Sequence, residues 1–374
     1  MPITRRISSS KRIVIKIGST LLVDPENGAV NRRWLEALAV DIAKCHNRGQ
    51  QIIIVSSGAI AVGRRHLELK DGKLKLEESQ AAAATGMIRL AHAYQEVLAK
   101  FDLTVAQVLM TLDDSEDRRR YLNARNTLET LLKLGAVPLI NENDTIATDE
   151  IRFGDNDRLA ARVSAMISAD TLILLSNIDG LYDLDPRIHG NAQLVPEVHG
   201  TISEDIQNMA GKSMSYDGSG GMITKLEAAR IALSAGSRMI ISDGSKLHPL
   251  KAIENGVACT WFLPDANPKT ARKRWIAGVL KPSGAIVIDK GALKALKYGN
   301  SLLPAGVTEI EGKFERGDAI IVKTQNGREI GRGISAYSAN DARRIIGNKT
   351  SEIELILGYR GRDEMIHRDD LALN

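Results

Sequence analysis

The chain has little histidine and less cysteine: seven His and two Cys among 374 residues. Cys45 falls in a helical stretch and Cys259 in a strand-like one, so they form neither a metal-ligand spacing nor a disulfide framework, and both read as buried or incidental thiols. Aromatic residues make up 4% of the chain, and no ribbon of basic and aromatic side chains stands out along which unstacked bases could lie. No apolar window is long enough to cross a bilayer, and the basic start Met1-Pro2-Ile3-Thr4-Arg5-Arg6 leads into no apolar signal core, so the expected address is cytoplasmic with no membrane partner. Two nucleotide signatures are missing as well: Gly-x-x-x-x-Gly-Lys-Ser/Thr does not occur, nor does the dinucleotide fingerprint. A phosphate site here must be built another way.

What is present is an orderly alternation. At 43% hydrophobic and 26% charged, with a net charge of +4, the chain is long enough for two folded domains. Arg12-Ile13-Val14-Ile15-Lys16-Ile17 is a β-branched run closed by Gly18-Ser19-Thr20, the pattern of a strand buried on both faces. A lysine inside such a run is costly unless it is paired or faces an anion, which makes Lys16 a candidate phosphate ligand. A helix over 31–47 follows, with Trp34, Leu35, Leu38, Ala39 and Ile42 at helical spacing and Gly49 past its end. Gln51-Ile52-Ile53-Ile54-Val55 repeats the strand and delivers Ser57 and Gly58 to the next helix, where they offer a hydroxyl and backbone donors to an anionic or carbonyl group.

The pattern continues with a loop or short helix over 68–79, an Ala-rich helix over 80–100, a strand at 104–109, a helix over 117–134 and a strand at 135–140. That strand opens into Asn141-Glu142-Asn143-Asp144-Thr145, and a second polar cluster, Gly154-Asp155-Asn156-Asp157, introduces a helix running to Ala169. Single Asn and Asp residues are turn and cap formers. Two clusters in one strand-to-helix connection exceed that need and supply carboxylates for an ammonium group, amides for a carboxylate, and an acid to hold lysines or Mg²⁺ in register. The run from Asp170 to Tyr182 is another apolar strand ending in polar and Gly residues, Ser176-Asn177 among them. Then Asp217-Gly218-Ser219-Gly220-Gly221-Met222-Ile223-Thr224-Lys225-Leu226 forms a Gly-dense loop running into a helix at Glu227. Glycines let backbone N–H groups approach an anion, the helix start carries partial positive charge, and Lys225 adds a full one: a phosphate cradle in outline. Strands alternating with helices imply an α/β fold, a mostly parallel sheet sandwiched between helices, with ligands at the carboxyl ends of the strands. Lys16, Ser57, Asn141, Ser176 and Lys225 all fall on that rim.

In order, Val14-Ile15-Lys16-Ile17-Gly18-Ser19, Val55-Ser56-Ser57-Gly58-Ala59-Ile60, Ile140-Asn141-Glu142-Asn143-Asp144, Gly154-Asp155-Asn156-Asp157 and Gly220-Gly221-Met222-Ile223-Thr224-Lys225 resemble the motifs of the amino acid kinase family, and most closely its glutamate kinases. The resemblance implies ATP-dependent phosphorylation of the side-chain carboxylate of L-glutamate, the entry to proline biosynthesis, with Mg²⁺ carried mostly by ATP and water. Acetylglutamate and aspartate kinases are the nearest alternatives on the same fold. By position, the resemblance implies that Lys16 and Lys225 neutralise charge on the transferring phosphoryl group while Asp157 holds both ammonium groups. It implies glutamate binding by Ser57, Asp144, Asp155 and Asn156, and a nucleotide site of Lys16, Ser176, Asn177, Ser219, Gly220, Gly221, Met222, Ile223, Thr224 and Lys225, with no side chain serving as a metal ligand. Proline as a feedback inhibitor near residues 141–157 and a homo-oligomeric assembly are further implications. The chemistry agrees: a glutamate carboxylate is already ionised at neutral pH and needs no general base, and histidine occurs in none of these motifs.

Composition shifts after residue 275, which sets the expected domains at 1–275 and 276–374. Short alternating runs, Ala285-Ile286-Val287-Ile288, Gly306-Val307-Thr308-Glu309-Ile310 and Asp318-Ala319-Ile320-Ile321-Val322, with a hairpin signal at Asn326-Gly327, read as a small, mostly β barrel-like domain. Gly284 to about Arg362 resembles a PUA domain, a module associated with RNA-modifying enzymes and also attached to many glutamate kinases. RNA is therefore a possible partner, though a structural or regulatory appendage is the expectation. The alternative outside enzymology is an RNA-binding regulator on an inactive kinase fold.

Overall fold

The computed structural model describes residues 6–24, 28–69, 72–146, 155–210, 221–278 and 282–373. The chain forms two compact units, Met1–Pro268 and Lys269–Asn374. In chain order the first contains β1 (Arg12–Ile17), α1 (Ser19–Leu22), α2 (Arg32–Asn47), β2 (Gln51–Ser56), α3 (Ala59–His66), α4 (Leu76–Ala99), β3 (Val105–Met110), α5 (Leu112–Glu116), α6 (Arg118–Lys133), β4 (Val137–Glu142), α7 (Asp155–Met166) and β5 (Thr171–Ser176). It continues through β6 (Glu197–His199), α8 (Glu204–Met209), α9 (Met222–Ser234), β7 (Arg238–Asp243), α10 (Pro249–Glu254) and β8 (Cys259–Leu263). The strands lie in the order β3-β4-β2-β1-β5-β7-β8-β6, parallel except where β8 runs against β7.

Alternate side chains of a strand point to opposite faces, and β1 shows what that does to a fully covered sheet. Ile13, Ile15 and Ile17 pack into one core with Trp34, Leu38, Tyr94 and Leu98 of α2 and α4. Val14 packs into the other core with Leu159, Val163, Leu226 and Ala229 of α7 and α9. Lys16 shares the parity of Val14 and so belongs to the α7 and α9 side. Each large apolar side chain removed from water contributes about 1.5–3 kcal/mol, so a slip by one residue would forfeit both faces at once.

The helix starts follow capping chemistry. Asn31 accepts the Trp34 N–H at 3.2 Å, starting α2 where its apolar stripe begins. The expected loop or short helix before residue 80 is shorter than the sequence suggests: α4 begins at Leu76, and Glu78 accepts the Lys75 N–H at 2.8 Å. Acidic residues in a first turn favour that extension. Helices α3 and α4 cross in direct backbone contact, because a Cβ on Gly63 would strike the Ala82 carbonyl and one on Gly86 the Ala59 carbonyl.

The second unit takes in most of α11 (Pro268–Gly278), ahead of the composition change after residue 275. It then runs through β9 (Gly284–Ile288), α12 (Lys290–Lys297), β10 (Val307–Gly312), β11 (Ala319–Thr324), β12 (Glu329–Ile334), α13 (Ala339–Ile345), α14 (Ile353–Leu357) and β13 (Leu371–Leu373). Its sheet has the order β10-β9-β11-β12-β13, and β11 and β12 form the hairpin expected at Asn326-Gly327, where Gly327 takes φ 80°. Ile286, Ile288, Ile320, Val322, Phe314 and Ile345 fill its core. Arg272 of α11 pairs with Asp370, Nε to Oδ1 at 3.1 Å, both largely buried. Among the described residues no helix is long and apolar enough to cross a membrane.

Candidate functional site

From the central strand β1 the chain moves first to β2 on one side and later returns through β5 on the other. Such a reversal opens a crevice at the carboxyl ends of the strands. The three strand ends are held in step there: the Ser57 N–H donates to the Ile17 carbonyl at 3.1 Å and the Gly18 N–H to the Leu175 carbonyl at 3.2 Å.

Three charged side chains meet in the layer above the sheet. Lys16 rises from β1 on its Val14-like face, Asp157 sits in the first turn of α7, and Lys225 in the first turn of α9. Lys16 Nζ lies 2.7 Å from Asp157 Oδ1, and Lys225 Nζ lies 3.2 Å from Asp157 Oδ2. All three are buried, Asp157 at 1% exposure. Burial pushes the Asp157 carboxyl upward, but the Lys16 and Lys225 ammonium groups outweigh it and hold the group below the ordinary carboxylate value. Burial, with help from Lys16, lowers Lys225 below the ordinary lysine value even though Asp157 pulls the other way. The set therefore carries one excess positive charge in a poorly hydrated place, which suits an incoming polyanion.

Beside it, Asn156 Nδ2 donates to Ser57 Oγ at 2.8 Å. Gly58, at φ 102°, makes the turn from β2 into α3 that exposes the Ser57 hydroxyl to α7. Because Ser57 Oγ accepts that bond, its own proton stays available, while the Asn156 carbonyl oxygen is buried with no hydrogen-bond partner among the described residues. The pair thus presents one donor and one acceptor, matched to the carboxylate and ammonium of an amino acid. Asn141, at the end of β4, has a buried Oδ1 in the same condition, and Asp144 is buried just after it. The Asp155 side chain lies outside the described residues.

Ser176 ends β5, its hydroxyl 3.3 Å from Asn177 Oδ1, and its carbonyl accepts the Gly244 N–H at 2.8 Å. Gly221 caps α9, which starts at Met222, so Met222, Ile223, Thr224 and Lys225 form the first helical turn and not the loop that the sequence suggests. The reason is local: past Gly221 the run Met-Ile-Thr-Lys-Leu has no helix breaker, and Met222 and Leu226 pack on the sheet core. A helix start with Lys225 in its first turn fits phosphate oxygens. Ser219 and Gly220 lie outside the described residues. Among those described, no group of three or more His, Cys, Asp or Glu side chains is placed to hold a metal ion.

Two contacts were not anticipated from the sequence. The Thr224 hydroxyl lies 3.2 Å from Asp157 Oδ2, and the buried Tyr94 hydroxyl lies 3.2 Å from Ser56 Oγ beneath the Ser57 turn. Thr224 at least adjoins Lys225 within a motif; Tyr94 sits in an Ala-rich helix with no local signal.

Residues 11–243 match the amino acid kinase family and residues 284–357 the PUA domain. A glutamate 5-kinase of Paramagnetospirillum magneticum is 64% identical over 367 residues, spanning 98% of this chain and 99% of its own. Another from Bradyrhizobium sp. strain BTAi1 is 57% identical over 98% of this chain and 97% of its own. Among solved structures, carbamate kinase from Giardia lamblia bound to AMP-PNP superposes with a TM-score of 0.51 at 16% identity, covering 69% of this chain and all of that one, a likeness of fold. A motif match over most of the first unit, and relatives this similar along nearly the whole length, mean that this chain belongs to the amino acid kinase family.

Proposed function

We propose that this site transfers the γ-phosphoryl group of ATP to the side-chain carboxylate of L-glutamate, giving L-glutamyl 5-phosphate and ADP at the entry to proline biosynthesis. One observation carries the reading: a single buried carboxylate, Asp157, bridges lysines from a strand and a helix that are distant in sequence. Phosphoryl transfer rests on alignment and on positive charge at the equatorial oxygens, and two ammonium groups fixed by a common anion provide that charge before substrate arrives. Glutamate attacks as a carboxylate, so no side chain has to remove a proton. In this reading Ser57 donates to the amino acid carboxylate, Asn156 accepts from its ammonium, and Asp144 adds negative charge on the ammonium side, with Asp155 assigned to the same ligand by family likeness alone. Ser176, Asn177 and the run from Ser219 to Lys225 hold the nucleotide; Mg²⁺ bound with it would supply further neutralisation of phosphate charge. Proline shares the zwitterionic end of glutamate and competes near residues 141–157. The enzyme acts in the cytoplasm as a homo-oligomer, with the PUA unit as a structural or regulatory appendage.

The test is hydroxamate formation from ATP, hydroxylamine and each of L-glutamate, acetylglutamate and aspartate. Product with glutamate alone is the expected result. Product with either competitor and none with glutamate would transfer the assignment to that kinase.

A further inference from the structure

The Asp157 carboxylate has a third neighbour. Thr224 Oγ1 lies 3.2 Å from Asp157 Oδ2 and 2.9 Å from the Gly221 carbonyl. Both are acceptors, so the single hydroxyl proton is shared between them, and Thr224 ties the carboxylate to the first turn of α9. The arrangement meets a geometric need. A carboxylate facing two ammonium groups can rotate about its Cβ–Cγ bond, and either lysine could then draw both oxygens to itself. A donor fixed on Oδ2 from the α9 side stops that rotation, leaving Oδ1 for Lys16 at 2.7 Å and Oδ2 for Lys225 at 3.2 Å.

We propose that Thr224 is a positioning residue acting through Asp157: its hydroxyl sets the carboxylate plane, and with it the separation of the Lys16 and Lys225 ammonium groups. This deepens the proposed phosphoryl transfer and rests on it. It differs from the role implied by family likeness, in which Thr224 contributes to the nucleotide site, because the hydroxyl's one proton is already committed to Asp157 and Gly221. The residue's place in the helix explains why threonine serves. Thr224 is the third residue of α9, where a short branched side chain folds back toward the helix start, and Lys225 follows one step around the helix.

The experiment compares wild type, Thr224→Val, Thr224→Ala and Thr224→Ser. Val keeps the branched shape without the hydroxyl; Ser keeps the hydroxyl without the branch. Val and Ala are each expected to lower kcat about tenfold, the rate equivalent of one hydrogen bond to a charged group, with KM for glutamate and Kd for ADP within about twofold of wild type. Ser returns most of the lost rate. If Val and Ala weaken ADP binding while kcat is retained, Thr224 is a nucleotide ligand and the inference is overturned. If Ser is as slow as Val, the branch and not the hydroxyl matters, and the inference is likewise overturned. Crystal structures of wild type and Thr224→Val give a readout independent of activity: the Asp157 carboxylate is expected to turn and one lysine to leave hydrogen-bond distance. Superimposable triads would refute the positioning role, whereas a wild type that makes no glutamyl hydroxamate would refute the proposed reaction.

Discussion

Asp157 gives one carboxylate oxygen to Lys16, at 2.7 Å, and the other to Lys225, at 3.2 Å. The three buried groups sum to one positive charge, and that imbalance separates the effects of the obvious substitutions. Asp157→Asn removes the carboxylate that both buried ammonium groups share and is expected to cost about 3–5 kcal/mol of stability. Lys225→Met leaves a neutral Lys16–Asp157 pair, so its unfolding free energy should stay within about 1 kcal/mol of wild type while kcat falls about a hundredfold. Denaturant titration beside steady-state kinetics measures both. Equal destabilisation by the two variants would contradict the charge count.

The same triad fixes the direction of the pH dependence. Lys225 is needed as ammonium, and burial holds its pKa below that of a free lysine, so the alkaline limb of kcat should begin earlier than free lysine would allow. Asp157 opposes that depression. Asp157→Asn should therefore move the limb of its residual activity to still lower pH, and a limb unmoved or raised would show that another group titrates.

Stability follows the same signs. The Asp157 carboxyl is depressed on folding, so its contribution is fully present above the unfolded value of about 3.9 and is lost as pH falls through the folded value. Lys225 works in reverse: its depressed pKa is a cost at neutral pH that is relieved as pH rises from the folded value toward that of a free lysine. Unfolding free energies measured against pH should lose the acid-limb contribution in Asp157→Asn.

Gly63 and Gly86 reverse a familiar sign. In an exposed helix, Gly→Ala gains up to about 1 kcal/mol. Here each glycine faces the backbone of the other helix, so Gly63→Ala and Gly86→Ala should each lose about 1–3 kcal/mol. The double variant should lose less than the sum, because one separation of α3 from α4 relieves both clashes. A stabilised single variant would show that the crossing is looser than its geometry.

Proline should raise the apparent KM for glutamate with little change in kcat, since it offers the same carboxylate and an ammonium but no attacking side-chain oxygen. Ser57→Ala should weaken both ligands in parallel. Activity that saturating proline leaves untouched would remove the inhibitor from the reading and leave the kinase assignment standing.

Much of this was legible in the chain because it is local. The β-branched runs, the helical spacing from Trp34 to Ile42, the hairpin at Asn326-Gly327 and the odd lysine inside β1 are decided by steric and solvation rules that act over a few residues. Strand parity even indicates which face Lys16 takes, since Ile13, Ile15 and Ile17 claim the other. The start of α9 was less clear, because the glycines before Met222 favour a loop, and the breaker-free run past Gly221 starts a helix there together with the packing of Met222 and Leu226 on the sheet core.

Read alone, the chain yields the main alternation of strands and helices, the polar residues at several of their ends, and a lysine inside β1 in want of an anion. Family likeness pointed to Asp157 as that anion, but it is the packing of the folded chain that brings it against both lysines, adds the Thr224 hydroxyl to it, turns the Asn156 amide toward Ser57, and makes two helices touch through Gly63 and Gly86. The reason is physical: strand and helix periods place each side chain relative to its own element, whereas distances of a few ångströms between β1, α7 and α9 depend on how the sheet and its helices pack, which no short stretch of the chain encodes.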